Sequence, residues 1–123
     1  LFALSITALS TSDATLAVKL MGQQQNQFPA NKESIAKGEK MYARYCLSCH
    51  GKEGKGGPTI PVEIPNLVDA NWKHGGADAD IFKTIKQGVP PDLIMDSFED
   101  RLSNDDIWHV IHYVRDLAKR VKK

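Results

Sequence analysis

Cys46 and Cys49 are the only cysteines in the chain, and His50 directly follows the second of them in the stretch CLSCH. Three chemistries use this set. A dithiol can close a redox disulfide, which calls for CxxC after a strand and opening a helix. A zinc ion can take both thiolates with two histidines, here two of His74, His109 and His112. Alternatively, both thiols can add across the two vinyl groups of a haem while the adjoining imidazole coordinates the iron. Two intervening residues let both cysteines sit on one helical turn and still reach separate vinyls. A second iron ligand would have to come from elsewhere, and the soft thioether of methionine suits an electron carrier. The chain has three methionines: Met21, Met41 and Met95.

The elements that must position these residues are helices. The first is predicted over roughly residues 32–47, with Asn31 as N-cap after Pro29 and with Ile35, Gly38, Tyr42 and Tyr45 on one face. The second is predicted over about 79–87, capped by Asp78, with Ile81 and Ile85 as its inner stripe and Gly88 and Pro90 ending it. The third opens on a capping box of Ser103 and Asp106, and Ile107, Val110, Ile111, Val114, Ala118 and Val121 trace its apolar face. Lys119, Arg120, Lys122 and Lys123 lie at its C-terminal end, where the helix dipole favours positive charge. Gly38 and Tyr42 are expected to meet Val110 and Tyr113 where the first and third helices cross. A glycine inside a helix costs about 1 kcal/mol relative to alanine, so this one is expected for close backbone approach. No segment alternates as a strand. The loops GKEGKGGPTIPVEIPNL and GVPPDLIMDSF are long for a small domain and need something to wrap around.

These elements weigh the three chemistries. CLSCH closes a helix and no βαβ pattern surrounds it, which disfavours the redox disulfide. At about 100° per residue, His109 and His112 point roughly opposite the apolar stripe, toward water, which disfavours zinc. Haem is favoured. Met21 lies in a polar stretch, and Met41 is about one helical turn from the cysteines on the proximal side. Met95 lies 45 residues after His50, on a loop able to close over the opposite face. His74 is the second choice for that position.

From about Ile35 to Leu117 the chain resembles the class I c-type cytochromes of bacteria, in the ordered stretches GEKMYARYCLSCHG, GGP, NW, IFKTIKQGVP, IMDSF and LSNDDIWHVIHYVRDL. The resemblance implies a small all-α fold of about three main helices, with long loops wrapped around one covalent haem c. It implies attachment through Cys46 and Cys49, with His50 as proximal ligand and Met95 as distal ligand. Pro58, in GGP, matches the position whose neighbouring carbonyl accepts the proximal imidazole N–H. Trp72 matches an aromatic residue that hydrogen-bonds a haem propionate. The family usually has proline after this methionine, whereas Asp96 stands here, so a more labile iron–sulfur bond is expected. A saturated iron implies an electron-transfer protein cycling between Fe(III) and Fe(II), not an enzyme. The alternative is a haem enzyme or gas-binding sensor with a displaceable sixth ligand. Covalent haem of this kind implies a periplasmic location.

Composition is consistent with this. A chain of 123 residues with 25% charged positions suits one small domain, and a net charge of +1 is too balanced for a general nucleic-acid binder. Residues 1–30 read as an apolar N-terminal extension and polar linker, and residues 31–123 as the monohaem cytochrome c domain. The apolar part of residues 1–20 would span roughly 27 Å as a helix, just short of a hydrocarbon core of about 30 Å. Asp13 in its middle would cost about 2.5–3.5 kcal/mol in lipid. The expectation is therefore a tether to a larger, membrane-associated redox complex, with donor and acceptor proteins as partners. A membrane span with Asp13 shielded by partner helices ranks second.

Overall fold

The computed structural model describes residues 25–56, 64–91 and 94–122. Among them are four helices and no strand: α1 (Lys32–Tyr45), α2 (Leu47–His50), α3 (Asp78–Gln87) and α4 (Asn104–Val121). This is the all-α architecture expected. Residues 1–24, with the expected tether, and Pro58 lie outside the described residues.

Local chemistry starts each long helix. The Asn31 side chain accepts the Ser34 N–H at 2.9 Å, which satisfies an N–H that has no partner inside α1. Ser103 and Asp106 form the expected box: the Ser103 hydroxyl accepts from the Asp106 N–H and the Asp106 carboxylate from the Ser103 N–H, each at 3.1 Å. At α3 the cap differs from expectation. Ala77 is the N-cap, and Asp78 is the first helical residue, its carboxylate committed to Arg115 on α4. The Ala77 N–H donates to the Asp80 carboxylate instead, at 3.3 Å.

α4 is the hub. Ile107, Val110 and Ile111 are essentially inaccessible, and Tyr42 of α1 is 1% exposed beside them. Gly38 permits the α1–α4 crossing: a Cβ there would overlap the His109 carbonyl and stand 2.8 Å from the Tyr113 Cβ. The neighbouring Tyr42 and Tyr113 rings pack with centroids 5.0 Å apart. α3 closes on the other flank, where Phe82 stacks on Trp108 at 4.3 Å.

The outer face of α4 corrects the expectation that His109 and His112 point to water. His109 is buried, its Nδ1 2.7 Å from the Ser34 hydroxyl and its ring 4.4 Å from that of Phe28. His112 Nε2 lies 2.7 Å from the Phe28 carbonyl. The cause is the segment just before α1, read from composition as linker. Asn26 donates to the Trp108 carbonyl at 2.8 Å, so residues 26–28 strap the face of α4 that the periodicity left to solvent. Eight of the 18 residues of α4 are therefore buried, more than one stripe supplies.

Candidate haem-binding site

Cys46, Cys49 and His50 are set by the junction between α1 and α2. Cys46 ends α1, its N–H donating to the Tyr42 carbonyl at 2.8 Å, and its own carbonyl accepts the His50 N–H at 2.8 Å. No disulfide joins the two cysteines, and Cys46 is buried while Cys49 is exposed. After His50 the chain turns sharply at Gly51, whose φ of +78° favours glycine. A Cβ at Gly51 would also stand 2.9 Å from the Gly56 carbonyl oxygen. Three bonds fix this turn. The Tyr42 hydroxyl donates to the Gly51 carbonyl at 2.7 Å, Gly56 N–H to His50 at 2.8 Å, and Leu67 N–H to Gly54 at 2.8 Å.

Against the motif, a cavity of about 490 Å³ opens between α2, the inner faces of α3 and α4, and the two long loops. That volume falls in the range of about 300–1,000 Å³ typical of cofactor and ligand pockets. Ile81, Ile85, Val110 and Val114 supply apolar wall from α3 and α4. Cys46, Cys49, His50, Trp72, His74 and Met95 all line this one cavity, from positions up to 49 residues apart in sequence. Met95 is partly buried, and its carbonyl accepts the Val89 N–H at 3.0 Å. His74 is exposed at the rim. His109 and His112, required by the zinc alternative, are not cavity residues; Ser34 and Phe28 engage them. Met41 packs against the core from α1.

The electrostatics favour a neutral ligand set. Burial, and secondarily the neighbouring Cys49, push the Cys46 thiol up to about 12, so it is a protonated thiol and not the thiolate of a reactive redox pair. Burial also lowers the pKa of His50 below its ordinary value, which keeps the imidazole neutral, the form that binds metal. His50 Nδ1 is buried with no hydrogen-bond partner among the described residues. An apolar cavity, two adjacent thiols, a neutral imidazole and a thioether together fit a covalently held haem.

One wall was not foreseen. The Arg115 guanidinium lies 5.3 Å from the centroid of the Trp72 ring, reaches Asp78 Oδ1 at 2.8 Å and also donates to the Gly76 carbonyl. A Cβ at Gly76 would stand 2.7 Å from Trp72 Cδ1, so the indole is held between that backbone and the arginine. Nothing local announces a pair 37 residues apart. Asn66 shapes the wall before it, accepting the Val68 N–H at 2.8 Å in an Asx turn.

Residues 33–114 match the family model for cytochrome c oxidase, cbb3-type, subunit III. The chain belongs to this family of c-type cytochromes. The subunit III match takes in nearly all of α1, the CLSCH motif, both cavity loops and α4 as far as Val114. Over 83 residues, 68% of the chain, it is 38% identical to the cbb3-type cytochrome c oxidase subunit FixP of Bradyrhizobium diazoefficiens, covering 27% of that protein. Over 95 residues, 73% of the chain, it is 35% identical to subunit CcoP of Rhodobacter capsulatus, covering 31% of that protein. The chain thus spans less than a third of the length of these relatives.

Proposed function

We propose that this domain carries one electron on a single haem c attached through Cys46 and Cys49, with His50 and Met95 as axial ligands. The observation that carries the reading is that all four side chains line one cofactor-sized apolar cavity. A bound haem supplies a reversible Fe(III)/Fe(II) couple. The chain's own residues set the conditions for it. Burial keeps His50 neutral, and the Tyr42 hydroxyl, bonded to the Gly51 carbonyl, holds the turn that follows it. Met95 offers a thioether, which favours the ferrous state and raises the potential. Ile81, Ile85, Val110 and Val114 exclude water and lower the local dielectric. Cys49 is exposed, so the motif reaches the surface where a redox partner docks. If His50 and Met95 both held the iron, the domain would pass electrons without bonding a substrate.

The names of the relatives, subunits of a cytochrome c oxidase, support a place in a larger oxidase assembly; we propose that it is membrane-associated and that the electron is received from one protein and passed to another. Residues 1–20 are proposed as the tether and the periplasm as the location. No described helix is long and apolar enough to cross a membrane. Two experiments test the core of the reading. Acid acetone applied to the denatured protein should leave the pigment on the chain, and a redox titration should show one reversible one-electron step. Freely extracted haem overturns the attachment; a titration with no reversible step overturns the carrier role.

A further inference from the structure

Asp96 stands where proline is expected to stiffen the loop after Met95, and the structure contains a different device. Helix α3 ends at Gly88, whose φ is +74°, and the Met95 segment returns across it in backbone contact. A Cβ at Gly88 would stand 2.7 Å from both the Met95 carbonyl oxygen and the Ser97 nitrogen. Helix ends leave carbonyls without partners, and here the returning segment fills two of them. The Ser97 hydroxyl donates to the Lys86 carbonyl at 2.6 Å, and the Phe98 N–H donates to the Ile85 carbonyl at 3.1 Å. The Met95 carbonyl itself accepts the Val89 N–H at 3.0 Å. The Asp96–Arg101 pair, at 3.4 Å with both side chains about half exposed, adds little.

We propose that Ser97 is the positioning residue for Met95, its side-chain bond to the last turn of α3 taking the place of a proline ring, with Gly88 supplying the clearance. The proposal rests on the reading of Met95 as distal ligand. Backbone bonds hold the chain at the Met95 carbonyl and at Phe98, and the Ser97 bond between them is the one that a side chain makes and a substitution removes. Removing it strands a partly buried carbonyl and lets the 95–97 segment lift from α3.

The test uses the haem-loaded full chain in four variants, read by the ferric sulfur-to-iron charge-transfer band and by carbon monoxide association with the ferrous protein. Ser97→Ala should weaken the band and speed carbon monoxide binding about tenfold, as loss of the partner of a partly buried carbonyl predicts. Ser97→Thr, which keeps the hydroxyl, should restore both. Gly88→Ala should weaken the band further, because its Cβ meets backbone. Met95→Ala should abolish the band. If Met95→Ala loses the band while Ser97→Ala keeps the wild-type band and rate, the positioning role is overturned and the ligand stands. A lower unfolding midpoint in Ser97→Ala with both readouts unchanged overturns it equally. If Met95→Ala keeps the band, the ligand assignment falls and takes the proposal with it.

Discussion

Gly38→Ala isolates the contact that sets the distance between α1 and α4. In an exposed helix interior, this exchange stabilises by about 1 kcal/mol, because alanine loses less backbone entropy. Here the new Cβ would overlap the His109 carbonyl and press on the Tyr113 Cβ at 2.8 Å. A backbone carbonyl cannot rotate aside, so the helices must separate. Separation loosens the Tyr42–Tyr113 packing and stretches the Ser34–His109 bond. Overpacking of this kind costs about 1–3 kcal/mol, and the rigid obstacle puts it toward the upper end. After the gain in helix propensity, a net loss of about 1–2 kcal/mol remains. In urea, that lowers the unfolding midpoint by roughly 1 M for a domain of this size. Far-ultraviolet circular dichroism of the haem-loaded protein measures it. Ala36, exposed on α1, supplies the control: Ala36→Gly should destabilise by about 1 kcal/mol through propensity alone. A Gly38→Ala protein with a raised midpoint would refute the close-approach argument.

Arg115→Met should cost about 1–3 kcal/mol by removing charge-assisted bonds to Asp78 and Gly76 and the contact with Trp72, and should alter the near-ultraviolet circular dichroism of the indole. Cys46→Ala and Cys49→Ala should each leave a haem held by one thioether, with mass spectrometry of the pigmented protein showing a single bond; loss of all haem from Cys49→Ala alone would argue against paired attachment. His109 gives a pH dependence. Burial first, then Lys37 and His112, lower its pKa against the opposing pull of Asp105 and Asp106. The unfolded chain therefore binds a proton near pH 6.5 that the folded protein refuses, so stability is complete above that pH and falls as pH drops below it. Denaturation midpoints between pH 7.5 and 5 should show this slope, and His109→Gln should flatten it.

How much of this was legible depends on how far apart the interacting residues lie. Helix periodicity and caps are local, so α1, α3 and α4 could be read within a few residues. Ser103 and Asp106 stand three positions apart and announce their own box. CLSCH is equally local and carries its chemistry in its spacing. His109 and His112 were misjudged because a single apolar stripe assumes one buried face, whereas Asn26 and Phe28, some 80 residues upstream, cover a second. Asp78 looked like a cap because nothing nearby shows that Arg115 claims its carboxylate. Ser97 gave no signal at all, since its partner is a backbone carbonyl, and carbonyls look alike in every sequence. Met95 was singled out by its distance after His50 and its loop position, with the resemblance pointing the same way, and the structure adds that it shares a cavity with His50.

The absorption spectrum of the purified protein, ferric and then ferrous, with and without carbon monoxide, tests the central claim most directly. Six-coordinate, low-spin haem in both states is expected, with the sulfur-to-iron charge-transfer band in the ferric form and a ferrous spectrum that carbon monoxide changes only slowly. A high-spin ferric spectrum without that band, converting at once under carbon monoxide, would contradict a His50–Met95 electron carrier.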